Sequence, residues 1–99
     1  DPEKLKHKSG NIIDNLEHFI KNIIDVTIEY CPVYKPNFAF FERYGGKGYT
    51  ILEKIVDYID GNALAIADAK RGDIGNTSKQ YSMAPSYYYG VPLYSCLGL

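Results

Sequence analysis

The sequence predicts an α/β fold built on a parallel sheet. Amphipathic helical segments alternate with short apolar runs along the chain, and proline or glycine residues separate the two kinds of segment. Strands that alternate with helices at this spacing are typical of βα units, in which neighbouring strands run parallel. The length of 99 residues suits one small domain or part of a larger one.

The first element is a predicted helix over residues 9–30. Apolar side chains recur there at helical spacing with polar ones between them, and Ser9 or Asn11 can cap the first turn. Pro32 ends this helix because proline cannot continue the hydrogen-bond pattern. Residues 33–37 then predict a short strand whose late proline is typical of a strand that leaves its sheet.

A second helix and strand follow an aromatic and glycine-rich stretch, residues 38–48, which we interpret as a connection. Residues 49–59 predict an amphipathic helix. After a turn, the small apolar run at residues 63–68 predicts a buried strand. No element is predicted for residues 80–99, which contain five tyrosines, two prolines and no charged residue.

The composition narrows the classes of function. The net charge of -1 gives no electrostatic basis for binding nucleic acid or an anionic membrane. No apolar run approaches the about 18 residues of a transmembrane helix. Because Cys31 and Cys96 have neither metal-binding nor redox spacing, we expect a reduced, cytoplasmic protein.

The most informative stretch is DAKRGDIGNT, residues 68–77. It follows the second strand, and functional groups of parallel βα sheets gather where strands end. Asp68 and Lys70 point to one side of an extended backbone, and Lys35 ends the earlier strand at the same edge. A lysine held between Asp68 and Asp73 stays protonated, which suits proton delivery to a carbanion. The alternative interpretation of these charges is a surface salt-bridge cluster.

Together with YKPNFAFFE at residues 34–42, this motif closely resembles the orotidine 5'-phosphate decarboxylase family over roughly residues 1–80. The resemblance implies a partial (β/α)8 TIM barrel of about two βα units plus an irregular tail. It also implies a homodimer that uses neither a metal nor an organic cofactor. The implied substrate is orotidine 5'-phosphate, which is converted to UMP and carbon dioxide in de novo pyrimidine biosynthesis.

The resemblance implies roles for four charged side chains. Lys70 would donate a proton to C6 of the pyrimidine, and Asp68 would lie beside the departing carboxylate. Lys35 would bind the ribose and hold Asp68, whereas Asp73 would reach across the dimer into the partner's site. The remaining substrate-binding positions implied by the resemblance are Asn37, Ile74 and Thr77.

The resemblance further implies that the chain is a piece of a barrel, since a TIM barrel has about 250 residues as a rule. We assign residues 1–80 to the partial barrel and residues 81–99 to a divergent tail that is foreign to the family. Whether Asp1 is the family's ribose-binding aspartate stays open, and the family's phosphate site, built from late barrel loops, is not expected in this chain. Open sheet edges and a small core predict marginal stability and no activity for the isolated chain.

Three alternatives stay open. The first is a sibling barrel enzyme, a metal-dependent decarboxylase or aldolase of sugar phosphates, with a nearby acid on magnesium. The second is a non-catalytic truncated product that binds a partner chain. The third is a cell-adhesion role for Arg-Gly-Asp at residues 71–73, a tripeptide that occurs often by chance. Magnesium-dependent activity would favour the first, and cooperative unfolding of the isolated chain would favour a genuine small domain.

Overall fold

The computed structural model describes residues 1–6 and 10–89. Two short strands pair in parallel, with Val33 opposite Leu64 and Tyr34 opposite Ala65, so the predicted α/β fold with a parallel sheet is confirmed. In chain order the elements are a 3-10 turn Pro2–Lys4, α1 Ile12–Thr27, β1 Val33–Tyr34, α2 Ala39–Glu42, α3 Gly45–Ile59, β2 Leu64–Ala65 and α4 Gly75–Tyr89.

Helix α1 is shorter than the predicted span of residues 9–30. Asn11 is its cap, because the Oδ1 atom accepts hydrogen bonds from two backbone N–H groups of the first turn, at 2.9 and 3.0 Å. Ser9, the other predicted cap, lies outside the described residues. At the far end, the Thr27 carbonyl accepts two further backbone hydrogen bonds at 2.8 Å, and the residues after it form a turn that leads to Pro32.

Backbone pairing extends beyond the two regular strands. The Leu64 N–H donates to the Pro32 carbonyl at 2.9 Å, and the Asp68 N–H donates to the Pro36 carbonyl at 3.2 Å. An isolated bridge joins Asn37 to Asp68. The paired backbone therefore follows the predicted strands at residues 33–37 and 63–68. The carbonyl of Pro36 takes part in this pairing, but its nitrogen has no N–H to donate, so one hydrogen bond is missing there.

The stretch predicted as a connection, residues 38–48, is mostly helical. It holds α2, and α3 begins at Gly45, four residues before the predicted start at Tyr49. Gly45 has a φ of 60°, a left-handed conformation that glycine adopts without strain. Gly48 lets α3 lie directly against α2, because a Cβ atom there would overlap the carbonyl oxygen of Phe41. Two of the glycines therefore shape a helix–helix contact, which local turn signals do not reveal.

The hydrophobic core lies between α1, α3 and the strands. Helix α3 provides the side chains that are most completely buried, and the predicted apolar face of this helix is confirmed. Alanines on the second strand segment allow the close approach of the helices. The core consists of Leu16, Ile24, Phe38, Phe41, Ile51, Leu52, Ile55, Val56, Ile59, Ala65, Ala67 and Ala69.

An apolar groove of about 290 Å³ lies beside α1 and β1. Phe19 and Ile23, which belong to the predicted inward face of α1, line this groove and stay 45% and 41% exposed. Tyr34 and Phe40 contribute to its walls. Within the described residues β1 pairs only with β2.

Helix α4 extends to Tyr89 and so includes residues 80–89, for which the sequence predicts no element. That prediction is wrong over these residues. The helix contains Pro85, which removes one intrahelical hydrogen bond without ending the helix. Residues 90–99 lie outside the described residues. Among the described helices, none has the length and apolar character needed to cross a bilayer.

Candidate active site

The ends of the two paired strands bring Lys35, Asp68 and Lys70 together. Lys35 directly follows β1, and the parallel register places Asp68 beside the end of that strand segment. The Asp68 Oδ2 atom lies 3.6 Å from Lys35 Nζ, and its Oδ1 atom accepts a hydrogen bond from Lys70 Nζ. Asp68 and Lys70 therefore share one side of the extended backbone, as their spacing predicts.

Asp68 is a buried carboxylate between two cations that remain open to solvent. Its side chain is 8% exposed, whereas the side chains of Lys35 and Lys70 are 61% and 57% exposed. The hydrogen bond from Lys70 holds the pKa of Asp68 below its usual value, with a smaller contribution from the charge of Lys35, although burial acts in the opposite direction. An ionised Asp68 thus anchors two ammonium groups whose outer sides are accessible.

Asp73, the fourth charged residue of the predicted network, does not join the cluster. Its side chain is exposed and accepts a hydrogen bond from the backbone N–H of Ile74 at 2.8 Å. Within residues 1–6 and 10–89 it forms no ion pair. Gly75, with a φ of 57°, begins α4 two residues later. The turn into this helix separates Asp73 from the strand-end lysines.

The remaining predicted site residues form no side-chain hydrogen bond with the cluster in the described part of the chain. Asn37 Oδ1 accepts from the Ala39 N–H at 3.2 Å and so supports the start of α2. Ile74 is 85% exposed, and Thr77 is exposed in the first turn of α4. Asp1 accepts from the Glu3 N–H at 3.1 Å and begins the 3-10 turn.

Sequence reasoning missed Arg71. Its Nη2 atom donates to Glu42 Oε2 at 2.8 Å, and its Nη1 atom donates to the carbonyl oxygen of Lys70 at 2.8 Å. The guanidinium also lies 5.8 Å from the centroid of the Tyr81 ring. Alternation along an extended chain could have indicated that Arg71 points away from Lys70. The pairing with Glu42 depends on α2, which the sequence did not predict.

Two parallel strands joined by helices, with charged side chains at the strand ends, form the βα arrangement from which (β/α)8 barrels are built. In the part of the chain that the structure describes, no group of three or more His, Cys, Asp or Glu residues is placed to hold a metal ion. A sequence model of the Orotidine 5'-phosphate decarboxylase / HUMPS family matches residues 13–87. The chain belongs to this family, and the resemblance found in its motifs is confirmed.

Relatives with known names agree with the family match. The chain is 53% identical over 72 residues to orotidine 5'-phosphate decarboxylase of Bacteroides fragilis, which covers 70% of this chain and 26% of the relative. It is 45% identical over 93 residues to the enzyme of the same name from Leptospira interrogans, covering 91% of this chain and 33% of that one. The chain thus spans between about a quarter and a third of these relatives.

Solved structures confirm the predicted partial TIM barrel. The OMP decarboxylase of Leishmania donovani superposes with a TM-score of 0.75 at 30% identity, over 87% of this chain and 33% of that chain. Orotidine 5'-monophosphate decarboxylase of Plasmodium berghei gives a TM-score of 0.75 at 35% identity, over 92% of this chain and 30% of that one. The family match ends at residue 87; the assignment of residues 81–99 to a foreign tail stays a prediction.

Proposed function

We propose that this chain supplies the proton-donating part of an orotidine 5'-phosphate decarboxylase of pyrimidine biosynthesis. The observation that carries the proposal is the buried Asp68 carboxylate, which holds the Lys70 ammonium at the end of a parallel strand. The family match and the names of the relatives support the reaction class.

The proposed reaction begins when the bond between C6 and the carboxylate breaks. The electron pair of that bond stays on C6, and carbon dioxide leaves. The Lys70 ammonium stabilises the negative charge as it develops and then donates a proton to C6, which completes UMP. Lys70 is left neutral and regains a proton from water. Since the ammonium supplies the stabilising charge, the proposed step uses neither a metal nor an organic cofactor.

Asp68 has two roles in this proposal. Its carboxylate accepts a hydrogen bond from the Lys70 ammonium and fixes that group in place, so little reorganisation is needed during the reaction. It would also lie beside the substrate carboxylate before that group departs. Lys35, 3.6 Å from the same carboxylate, would bind the ribose, with Asn37 close by at the start of α2.

Asp73 and Thr77 would act in the partner's site of a cytoplasmic homodimer, and Ile74 would line the pocket. Their exposure supports this assignment, because all three side chains lie at the start of α4 and face away from the core. Asp73 in particular forms no ion pair within the described part of its own chain. A carboxylate in this position is available to a ligand or to a second subunit.

The proposal can be tested in a complete barrel. Residues 13–87 would replace the matching segment of the Bacteroides fragilis relative, and UMP formation from orotidine 5'-phosphate would be measured with and without magnesium. We expect turnover that is independent of magnesium. Lys70→Ala should lower kcat by at least about 1,000-fold, within the range for loss of a general acid combined with a stabilising charge.

Lys47→Ala is the matched control, because Lys47 is an exposed lysine on α3 that forms no ion pair with Asp68 in the described part of the chain. It should leave kcat within about twofold of the unmodified chimera. A folded chimera that keeps more than a tenth of its activity after Lys70→Ala would remove Lys70 from the proposed role. Activity on a sugar phosphate that requires magnesium would favour the sibling enzyme. The 99-residue chain by itself should show no turnover in the same assay.

A further inference from the structure

We propose that Arg71 is a positioning residue that clamps the peptide after Lys70 to helix α2 and thereby keeps the Lys70 ammonium on Asp68. The role of Lys70 in catalysis rests on the proposed function, whereas the clamp itself is a matter of geometry. Arg71 has no part in the chemistry described above, since its guanidinium binds Glu42 and the Lys70 carbonyl, whereas the Lys70 ammonium binds Asp68.

The clamp consists of one guanidinium with two anchors. Nη1 binds the Lys70 carbonyl and Nη2 binds the Glu42 carboxylate, both at 2.8 Å. A guanidinium is planar and its donors are held at a fixed separation, so the two contacts fix the distance between the Lys70 peptide and α2. A lysine ammonium has one donor centre and cannot reproduce this fork.

The surroundings of Arg71 cover much of its own side chain, whereas its partner Glu42 is exposed. The Arg71 side chain is 25% exposed and lines a cleft of about 440 Å³ together with Glu42, Tyr49 and Tyr81. Burial raises the pKa of Tyr49, and the charge of Glu42, which lines the same cleft, raises it further. Helices α2, α3 and α4 thus all contribute a side chain to the surroundings of the guanidinium.

Lys70 depends on this support because its own segment has few other constraints. Residues 69–74 have no regular secondary structure between the bridge at Asp68 and the start of α4. Gly72 adds backbone freedom within this segment. The Lys70 side chain is 57% exposed and is held through Asp68. A fixed carbonyl at Lys70 therefore restricts where its ammonium can go.

The test uses the 99-residue chain and compares Arg71→Met with Arg43→Met. Arg43 is a close match, because it also pairs with a glutamate, Glu3, and lies 5.7 Å from a tyrosine ring centroid. In the described part of the chain, its ion pair is with Glu3 and not with Asp68 or Glu42. The pKa of the Asp68 carboxyl would be measured by NMR titration, and the melting temperature by circular dichroism. The titration reports on Lys70 because its hydrogen bond is the largest cause of the lowered Asp68 pKa.

We expect Arg71→Met to raise the pKa of Asp68 toward its usual value, and Arg43→Met to leave it unchanged even where both variants melt earlier. Arg71→Lys, which keeps the charge without the fork, should move the Asp68 pKa in the same direction. If the pKa of Asp68 in Arg71→Lys equals that in the unmodified chain, the proposal is overturned. This holds even where Arg71→Met does not fold.

The titration needs no substrate, so its outcome is separate from that of the decarboxylation assay. In the complete barrel, Arg71→Met should lower kcat by about tenfold with KM changed less than about twofold, because misplacement affects the transition state more than substrate binding. One outcome is that Arg71→Met changes the pKa of Asp68 while the unmodified barrel has no decarboxylase activity. That outcome would refute the proposed function and leave the clamp supported. An unchanged kcat in Arg71→Met would remove the clamp's role in catalysis.

Discussion

Gly48 marks the closest approach between α2 and α3, and replacing it with alanine should force these helices apart. A Cβ atom at this position would lie 2.7 Å from the carbonyl carbon of Phe41 and 3.2 Å from its Cα, and it would overlap the carbonyl oxygen. Ordinary contacts of a Cβ atom begin at 3.4 Å. Because the obstructing atoms belong to the backbone, no side-chain rotation can relieve the overlap.

The size of the effect follows from two opposing contributions. Alanine in place of glycine inside a helix contributes about 1 kcal/mol of stability through its helix propensity. Overpacking costs about 1–3 kcal/mol and occasionally more, and a clash with backbone belongs at the upper end of that range. We therefore expect Gly48→Ala to lower the free energy of unfolding by about 1–2 kcal/mol or more.

Gly46→Ala provides the matched control within the same helix. A Cβ atom at Gly46 meets nothing within 4 Å, so this variant should gain up to about 1 kcal/mol of stability. Urea denaturation followed by circular dichroism measures both values. For a domain of this size, 1 kcal/mol corresponds to a shift of about 4–8 °C in the melting temperature. If Gly48→Ala proves as stable as Gly46→Ala, the close approach of α2 and α3 is refuted.

Two further predictions concern the core and the buried carboxylate. Leu52→Ala should lower the free energy of unfolding by about 2–5 kcal/mol, since Leu52 is 0% exposed. Leu64→Ala is the control, because the Leu64 side chain is 46% exposed. In the same urea assay it should lower the free energy of unfolding much less. The pKa of Asp68 is lower in the folded chain than in the unfolded chain, where it is about 4. The ionised carboxylate therefore stabilises the fold above pH ~4, and this stabilisation is lost as the pH falls through the lower folded-state pKa. Asp68→Asn should therefore be less stable than the unmodified chain at pH 7, and the difference should shrink in acid; a difference that is constant with pH would contradict this reasoning.

The lysine–aspartate cluster could be predicted because it depends on short-range geometry. Alternation of side chains along a strand puts Asp68 and Lys70 on one side. Parallel pairing then brings the end of the first strand to the same edge, and Lys35 with it. Strand alternation and pairing do not predict the position of the Asp73 side chain. Asp73 lies in the irregular segment before α4, and its carboxylate accepts a hydrogen bond from the N–H of Ile74.

The helices on either side of the second strand were harder to predict because their local signals point to loops. Gly45, Gly46 and Gly48 resemble a turn, yet Gly48 is selected by a contact with Phe41 that only the folded chain shows. Pro85 resembles the end of a helix, although it is buried within α4, a helix that contacts α3. In both cases tertiary contacts outweigh the intrinsic preferences of the residues.

The charged side chains of residues 68–77 lie in three different environments. This distribution distinguishes the site from a solvated salt-bridge cluster. Asp68 is buried and pairs with two lysines, Arg71 crosses to Glu42 on α2, and Asp73 faces solvent just before α4. Exposed ion pairs contribute little to stability, whereas a carboxylate with 8% exposure must have its charge compensated where it lies. Removing either lysine would leave that carboxylate poorly compensated, so the requirements of folding and of the proposed proton transfer favour the same arrangement.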